Sequence, residues 1–325
     1  MQVLIYEPSY LRLRAQLDAF AGIEFVRMQE DGSLRLGDQP LEAPAIEVAW
    51  FDRALYDAGP TREFMVCCLK SPGLQWIQSA AAGFDHPVFA KLLDKGVALS
   101  NSHASAIGIA EFVVSAVLDL FQPHARRREL QLAKQWERAS SREVCGTTWM
   151  IVGIGHIGTE VAVRAKAFGA HVIGVRRSPK GDEPADRVVT PDQLFEWLPP
   201  ADVVVLAAPA NRETQRLVDA RFLAAMKPRS VLVNVGRGSV VDETALLAAL
   251  DQGSLEAAVL DVFETEPLPA ESPLWTHPRV RLSAHDAANS DGFGRRSDAL
   301  FFGNLARYIA GEKPLGLVDA ELVKS

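Results

Sequence analysis

The sequence predicts an α/β protein of two domains, each a doubly wound parallel sheet with helices on its faces. Three observations predict this class. The chain has 325 residues, of which 48% are hydrophobic, enough for more than one core. Strand-like apolar runs alternate with helical sequence along most of its length. A glycine-rich turn at residues 151–158 joins one of these runs directly to a helical segment.

The first hundred residues carry four strand signals with helical or polar sequence between them. The signals lie at 3–6, 46–51, 74–79 and 97–101. Leu13 and Leu17 are spaced as on one helix face after the first of them. The alternation predicts a small parallel α/β layer, followed by a long helix from about residue 107 to 121.

A complete βαβ unit surrounds the glycine-rich turn. Gly153, Gly155 and Gly158 follow the G-x-G-x-x-G spacing, after the buried-strand pattern TTWMIV and before a helix that Gly169 stops. A second strand pattern, AHVIGV, comes next. Glycines at this spacing alone would be weak evidence, but this context predicts a Rossmann-like dinucleotide site.

Each glycine has a distinct expected role in such a site. The first permits the tight turn, the second lets the backbone approach a pyrophosphate, and the third lets helix and strand pack closely. His156 and Ile157 lie between the second and third glycines, just before the helix pattern at 159–168. We include them in the cofactor site because helix N-termini offer N–H groups to anions.

Four further strand patterns complete the second sheet, at 202–209, 230–236, 257–263 and 280–285, and a helix at about 293–310 follows. We therefore expect a dinucleotide-binding Rossmann domain at 102–288. It is inserted into a discontinuous Rossmann-like or flavodoxin-like substrate domain, 1–101 plus 289–325, with the active site in the cleft between them.

Composition excludes several functions. A net charge of -7 and a pI near 5.6 argue against nucleic acid or an anionic membrane as partner, because both need a basic surface. The arginine run 126–128 is then a solvated helix face. No Cys/His spacing is typical of zinc, so no metal is expected. The sequence lacks a membrane-length apolar segment and a leader pattern, which predicts a cytoplasmic protein.

Three segments follow later strands and carry reactive side chains: VNVGRGSVVDETALLAAL at 233–250, LDVFETEPLP at 260–269 and LSAHDAANS at 282–290. In this order behind the glycine motif, they resemble the D-isomer-specific 2-hydroxyacid dehydrogenases, including the glyoxylate/hydroxypyruvate reductases. The resemblance covers essentially the whole chain. It implies hydride transfer between NAD(P)H and a small 2-oxo acid to give the D-2-hydroxy acid.

The resemblance implies three catalytic residues. Arg237 would grip the 2-oxo acid through a planar guanidinium fork that lysine cannot imitate. His285 would protonate the carbonyl oxygen and take the proton back in the reverse direction. Glu266 would hydrogen-bond His285 and favour its imidazolium form. Taken singly, each side chain is more typical of a structural role, and their joint presence indicates function.

The resemblance also implies cofactor contacts beyond the glycines. Asp261 and the backbone near Val235 would hold the nicotinamide carboxamide, and Ala208 and Pro209 would lie along the dinucleotide. Asp286 follows the histidine where relatives often carry an apolar residue, so it either faces the imidazole or points to solvent.

Substrate contacts are expected from the first domain. Backbone N–H groups at Ala82 and Gly83, in the loop SAAAGFDH, could donate hydrogen bonds to the substrate carboxylate, although a plain strand-to-helix turn explains the glycine almost as well. Trp50 and Phe51 are candidates for an apolar pocket wall that would admit a bulkier aromatic 2-oxo acid, with core packing as the alternative.

The cofactor preference is predicted from the end of the second strand of the βαβ unit. An NAD site usually has an acidic residue there, about 20 positions past the glycines, to bind the ribose 2′-hydroxyl. This chain has Arg176, Arg177 and Ser178 instead, which favours the 2′-phosphate of NADP(H). The alternative is that one arginine stacks on adenine and NAD(H) works as well.

Two other functions remain open at this point. One is a dinucleotide-sensing regulatory protein on the same fold, which would have no need of the three catalytic residues. The other is a dehydrogenase of a small anion such as formate or phosphite. The resemblance also implies a homodimer formed through the long helix after Asn101.

Overall fold

The computed structural model describes residues 1–81, 83–84 and 86–319, and its chain divides into two compact units. The first unit is Met1–Ala104 together with Asp291–Ser325, and the second is Ser105–Ser290. The sequence predicted a substrate domain at 1–101 plus 289–325 and a dinucleotide-binding domain at 102–288, and these two roles stay predictions. Both units contain a sheet with alternating helices, and the predicted α/β fold class is confirmed.

The first unit begins with seven strands and four helices among the residues described. The strands are β1 (Gln2–Tyr6), β2 (Glu24–Met28), β3 (Leu34–Leu36), β4 (Gln39–Pro40), β5 (Ile46–Phe51), β6 (Trp76–Ser79) and β7 (Ala98–Ser100). The helices are α1 (Glu7–Leu17), α2 (Arg53–Ala58), α3 (Thr61–Lys70) and α4 (Pro87–Asp94).

The sheet of the first unit has the order β4-β3-β2-β1-β5-β6-β7. Its β1, β2, β5, β6 and β7 are parallel, whereas β3 pairs antiparallel with both β2 and β4. The sequence patterns missed β2, β3 and β4. The last two are short, at most half-buried strands at the edge, so they lack the apolar run that marks a buried strand.

The second unit contains six helices and seven strands in the described part of the chain. The helices are α5 (Ala106–Phe121), α6 (His124–Leu132), α7 (His156–Ala167), α8 (Leu194–Trp197), α9 (Ala220–Ala225) and α10 (Glu243–Asp251). The strands are β8 (Thr148–Val152), β9 (His171–Val175), β10 (Arg187–Val189), β11 (Val203–Leu206), β12 (Ser230–Asn234), β13 (Leu255–Leu260) and β14 (Val280–Leu282).

The strands of the second sheet are all parallel, in the order β10-β9-β8-β11-β12-β13-β14. The order reverses between β8 and β11, so the glycine turn after β8 lies at the topological switch point where open α/β sheets bind ligands. Buried apolar side chains cover both faces of the sheet, as in Leu232 on one and Val233 on the other. The sheet therefore presents only its strand ends for chemistry.

A long C-terminal helix, α11 (Asp291–Ile309), returns to the first unit. Its Phe301 is buried and stacks on Trp50 with a ring separation of 4.0 Å. No single helix among the described residues is long and apolar enough to cross a membrane. Helices α5 and α6 reach that length and apolar composition only when taken together, and the pair is bent by 57°.

Asp52 is a buried carboxylate of the first unit, directly after β5. Its Oδ1 accepts the Leu55 N–H at 2.8 Å and so caps α2. Burial raises the pKa of Asp52 to about 6, against a partial offset from the Ser9 hydroxyl, the Leu55 N–H and the charge of Arg12. The unfolded chain therefore ionises Asp52 at a lower pH than the folded protein does, which destabilises the fold as pH rises.

We expect Asp52→Asn to remove this penalty and keep the cap, because asparagine also caps helices. The stability advantage of the variant over the parent should grow by at most about 3 kcal/mol between pH 4 and pH 7. Chemical denaturation across that range measures it. Asp219→Asn is the control, since Asp219 caps α9 through a similar 2.8 Å bond but is exposed. An advantage that does not change with pH would contradict the expectation.

Candidate active site

The glycine turn is shaped by close backbone contacts at two of its three glycines. Gly153 has φ +94°, and a Cβ there would lie 2.6 Å from the backbone nitrogen of Ala208. A Cβ on Gly158 would lie 2.3 Å from the carbonyl oxygen of Gly153. Gly155, by contrast, is exposed and has nothing within 4 Å of a Cβ position.

The turn thus fits a dinucleotide pyrophosphate. Gly155 is the N-cap of the twelve-residue helix α7, and no side chain caps it. His156, also exposed, is the first residue of that helix, and Ile157 is half-buried behind it. Open backbone at a helix N-terminus is the arrangement that binds phosphate anions. That these residues contact a cofactor stays a prediction.

Two neighbouring strand ends border this turn. Ala208 follows β11, is nearly buried and packs against Gly153, while Pro209 beside it is exposed. The Pro209 carbonyl accepts the Thr214 hydroxyl at 2.7 Å, which shapes the loop after β11. Val235 follows β12, is buried, and donates its N–H to Leu206 at 3.1 Å. Its side chain belongs to the core, so it offers only backbone to a ligand.

Arg176 follows β9 directly and is tied to the glycine turn. Its Nη1 donates to the Ile154 carbonyl at 3.4 Å and to Glu183 Oε1 at 3.2 Å. Arg177 pairs with Glu213 at 2.9 Å, and both of these side chains are more than half exposed. Ser178 is exposed as well. The positive charge predicted for this strand end is present, but each arginine already has a carboxylate partner.

Arg237 follows β12 in a turn built by two neighbours. Asn234, which is fully buried, donates Nδ2 to the Arg237 carbonyl at 3.0 Å and accepts the Gly236 N–H at 3.1 Å. A Cβ on Gly238 would lie 1.8 Å from the carbonyl oxygen of Phe263. Only glycine fits there, and the turn carrying Arg237 therefore packs directly on the turn that follows β13.

His285 and Glu266 form a hydrogen-bonded pair. His285 Nδ1 lies 2.8 Å from Glu266 Oε2, with the two side chains 47% and 36% exposed. The other carboxylate oxygen of Glu266 accepts the Phe263 N–H at 3.0 Å. Glu266 is thereby oriented by its own turn and can hold the imidazole ring in one orientation. The predicted pair is brought together as expected.

Asp261 holds the turn that carries the histidine. Its buried Oδ1 accepts the Ser283 hydroxyl at 2.7 Å and the N–H groups of Asp286 and Ala287 at 2.9 and 3.1 Å. Its carbonyl accepts the His285 N–H at 2.9 Å. The structure shows this carboxylate organising residues 283–287, and the cofactor contact predicted for Asp261 stays a prediction.

The backbone of His285 is strained at this turn. Its φ is +53°, in the left-handed region that non-glycine residues rarely adopt. Such strain persists where surrounding contacts over-determine it, and it is concentrated at functional sites. The sequence left open whether Asp286 faces the imidazole or points to solvent. In the structure Asp286 is exposed, and its backbone N–H donates to Oδ1 of Asp261.

Two residues that were candidates for the wall of the substrate pocket, Trp50 and Phe51, lie in the core of the first unit instead. Trp50 is 0% exposed and stacks between core side chains, with Phe301 on one face, so it cannot line a pocket in this structure. Phe51 is buried too, against Phe64 and Phe89. The core-packing alternative is correct for both, because α11 covers one face of the sheet and α3 and α4 the other.

The loop after β6 contains the remaining substrate candidates. Gly83 is described there, half-buried and outside regular structure, and it follows the carboxyl end of β6. Ala82 lies outside the described residues.

Asn234, Ser283 and Glu183 are supporting residues that sequence reasoning missed. Asn234 had a visible signal, since it is the polar residue that ends the apolar run SVLVN. Ser283 had none, because its partner Asp261 lies in another turn. Glu183 had none either: its partners lie in its own loop, and a single glutamate there follows no apolar run.

A cavity of about 520 Å³ opens at the opposite, amino-terminal end of the second sheet, near Arg142, Asp202 and Lys227. Most of its charged side chains are paired with one another. Asp202 pairs with Arg142 at 2.6 Å and with Lys227 at 2.7 Å. Burial opposes ionisation of Asp202, but the hydrogen bonds from Lys227 and Thr148 and the nearby cations bring its pKa below the usual value. The cluster anchors the strand ends and leaves the glycine edge as the candidate site.

Comparisons with known proteins agree with this geometry. The family model described as D-isomer specific 2-hydroxyacid dehydrogenase, NAD binding domain, matches residues 114–287. A glyoxylate reductase of Thermococcus gammatolerans is 31% identical over 265 residues, covering 78% of this chain and 79% of that protein.

Two solved structures are similar over nearly their whole length. A D-isomer specific 2-hydroxyacid dehydrogenase from Xanthobacter autotrophicus, in complex with NADPH and MES, is 28% identical with a TM-score of 0.79, covering 99% and 98% of the two chains. An NADPH-dependent glyoxylate/hydroxypyruvate reductase from Sinorhizobium meliloti, in complex with NADP and sulfate, is 25% identical with a TM-score of 0.76, covering 98% of each chain.

Proposed function

The chain belongs to the D-isomer specific 2-hydroxyacid dehydrogenase family, and from this premise we propose that it reduces a small 2-oxo acid to the D-2-hydroxy acid. Glyoxylate and hydroxypyruvate are the substrates we favour, because relatives carry those activities in their names. NADPH is the preferred reductant in this proposal. The observation that carries the proposed function is the His285–Glu266 pair. This pair lies at the strand ends of the second sheet, where turns also carry Arg237 and the glycine motif.

The cofactor site, Arg237 and His285 each have a separate role in the reaction. A nicotinamide dinucleotide bound at the glycine turn would supply the hydride that reduces C2 of the oxo acid. Arg237 holds the substrate through its carboxylate and carbonyl oxygens, because its fork offers parallel N–H donors. His285, as imidazolium, gives its proton to the carbonyl oxygen as negative charge develops there.

Glu266 sets the state of the histidine. When Nδ1–H of His285 donates to Glu266, Nε2 is the ring nitrogen that exchanges a proton with the substrate. The carboxylate also stabilises the charge on the imidazolium before the proton leaves. Asp261 keeps the turn in place through its three hydrogen bonds, so the histidine is positioned before substrate binds.

The NADP(H) preference is proposed on the charge after β9. Arg176 is half-buried beside the glycine turn, where an NAD site has a carboxylate. A charge-assisted hydrogen bond is worth about 1.5 to 3 kcal/mol, or about tenfold to a hundredfold in affinity. The two similar solved structures contain NADPH and NADP. NAD(H) is the weaker cofactor in this proposal.

Initial rates of NADPH and NADH oxidation test the proposal, measured with glyoxylate, hydroxypyruvate, pyruvate and phenylpyruvate. We expect turnover of the smaller acids, with kcat/KM at least about tenfold higher for NADPH. Reduction of NADP⁺ by formate or phosphite would instead favour the small-anion dehydrogenase. Measurable NADPH binding with no turnover of any compound would favour the sensor function.

A homodimer is part of the proposal. The segment that begins at α6 exposes Leu132 and Trp136, the latter completely, and such large apolar side chains are candidates for an interface. Multi-angle light scattering should give a mass near twice 35.4 kDa.

A further inference from the structure

Glu183 lies in the turn after β9, where only 2% of its side chain is exposed although the residue as a whole is half-buried. Its Oε1 accepts the Lys180 N–H at 2.8 Å, and its Oε2 accepts the Gly181 N–H at 2.9 Å. Oε1 also lies 3.2 Å from Nη1 of Arg176. The carboxylate therefore closes the turn 180–183 and holds the arginine at the same time.

The charge of Glu183 is well accommodated in this position. The hydrogen bond from the Lys180 N–H is the main cause that lowers the pKa of Glu183, and the Gly181 N–H and the charge of Arg176 add to it. Glu183 is thus ionised at neutral pH, and its negative charge is bound by three donors.

Arg176 keeps donor capacity beyond this clamp. Both of its hydrogen bonds within the described residues, to Glu183 and to the Ile154 carbonyl, run through Nη1. Nε and Nη2 make none with that part of the chain. A guanidinium has five N–H donors in a rigid fork, so one that is fixed through a single nitrogen can still bind a phosphate through the others.

We propose that Glu183 is the positioning residue for cofactor specificity: it fixes Arg176 so that the guanidinium meets the 2′-phosphate of NADP(H) without loss of side-chain freedom. Long arginine side chains lose rotamer freedom when they are ordered only at binding, and a side chain that is ordered beforehand avoids that cost. This inference rests on the proposed NADP(H) preference. It assigns the residue that orients Arg176 for binding the 2′-phosphate.

Electrostatic repulsion acts in the opposite direction, since a carboxylate next to a phosphate-binding arginine also repels the phosphate. The three donors around Glu183 offset that repulsion. Among the described residues, Nη1 of Arg176 has one further partner, the Ile154 carbonyl, at the longer distance of 3.4 Å. Positioning is therefore the effect we expect to dominate.

The test uses adenosine 2′,5′-bisphosphate, which carries the 2′-phosphate, and adenosine 5′-monophosphate, which lacks it. Calorimetry would give their dissociation constants for the full-length protein and for Glu183→Gln, Arg176→Ala and the double variant. We expect Glu183→Gln to weaken the bisphosphate about five- to tenfold and the monophosphate by less than about twofold. In the Arg176→Ala background, Glu183→Gln should change neither constant, because it acts through the arginine.

The control is Glu213→Gln, which removes the carboxylate beside Arg177 from an exposed pair and should change bisphosphate affinity by less than about twofold. Tighter bisphosphate binding by Glu183→Gln would overturn the inference, as would equal weakening of both nucleotides, which would indicate a collapsed turn. If Arg176→Ala itself leaves bisphosphate affinity unchanged, the proposed NADP(H) preference fails. If Arg176→Ala weakens bisphosphate binding and Glu183→Gln does not, only the role assigned to Glu183 is overturned.

Discussion

Arg237→Ala is expected to lower kcat/KM for the 2-oxo acid by about 10²- to 10³-fold while the dissociation constant for NADPH changes by less than about twofold. We expect the loss to be confined to the oxo acid because Asn234 and the close packing of Gly238 hold the turn that carries Arg237, in addition to the bond from its guanidinium to the Gly236 carbonyl at 2.9 Å. Steady-state kinetics with nicotinamide fluorescence titration measures both quantities.

Arg237→Lys separates charge from shape. Lysine keeps the positive charge but loses the planar fork, so we expect an activity between those of the parent and the alanine variant. Arg281→Ala is a suitable control, since Arg281 lies on β14, is about half exposed and bonds mainly to nearby carbonyls. An undiminished rate in Arg237→Ala would remove the mechanism proposed for this site.

His285→Asn is expected to lower kcat by about 10²- to 10⁴-fold, the range for loss of a general acid. Asparagine is the suitable replacement because it tolerates the left-handed backbone, φ +53°, better than most residues. The turn held by Asp261 should then survive, and NADPH binding with it. A matched control is His277→Asn, because His277 also pairs with a carboxylate, Asp251 at 3.3 Å, away from the site.

Glu266 should act only through the histidine. Glu266→Gln alone is expected to cost about tenfold to a hundredfold in kcat, because glutamine cannot stabilise the imidazolium charge. Combined with His285→Asn, it should cost nothing further, since residues that work as a unit are not additive. A double variant much slower than His285→Asn would show that Glu266 has a separate role.

Much of the architecture was predictable because short stretches of sequence specify it. The apolar run 147–152 and the glycines after it specify a strand, a tight turn and a helix within a few residues of each other. In the structure, β8 and α7 lie where that pattern placed them. The short strands β3 and β4 were not predictable, because they gain stability from pairing at a sheet edge rather than from an apolar face of their own.

The sequence by itself determined the α/β class, the position of the glycine turn, and the strand ends that carry Arg237, Glu266 and His285. These features depend on periodicity and on short linear motifs. The tertiary structure alone decided that Trp50 is covered by Phe301 of α11, that Asp261 holds the histidine turn, and that Glu183 clamps Arg176. A pattern shows which face of an element is apolar or which end carries a charge, but the partner that meets it is chosen only when distant segments pack together.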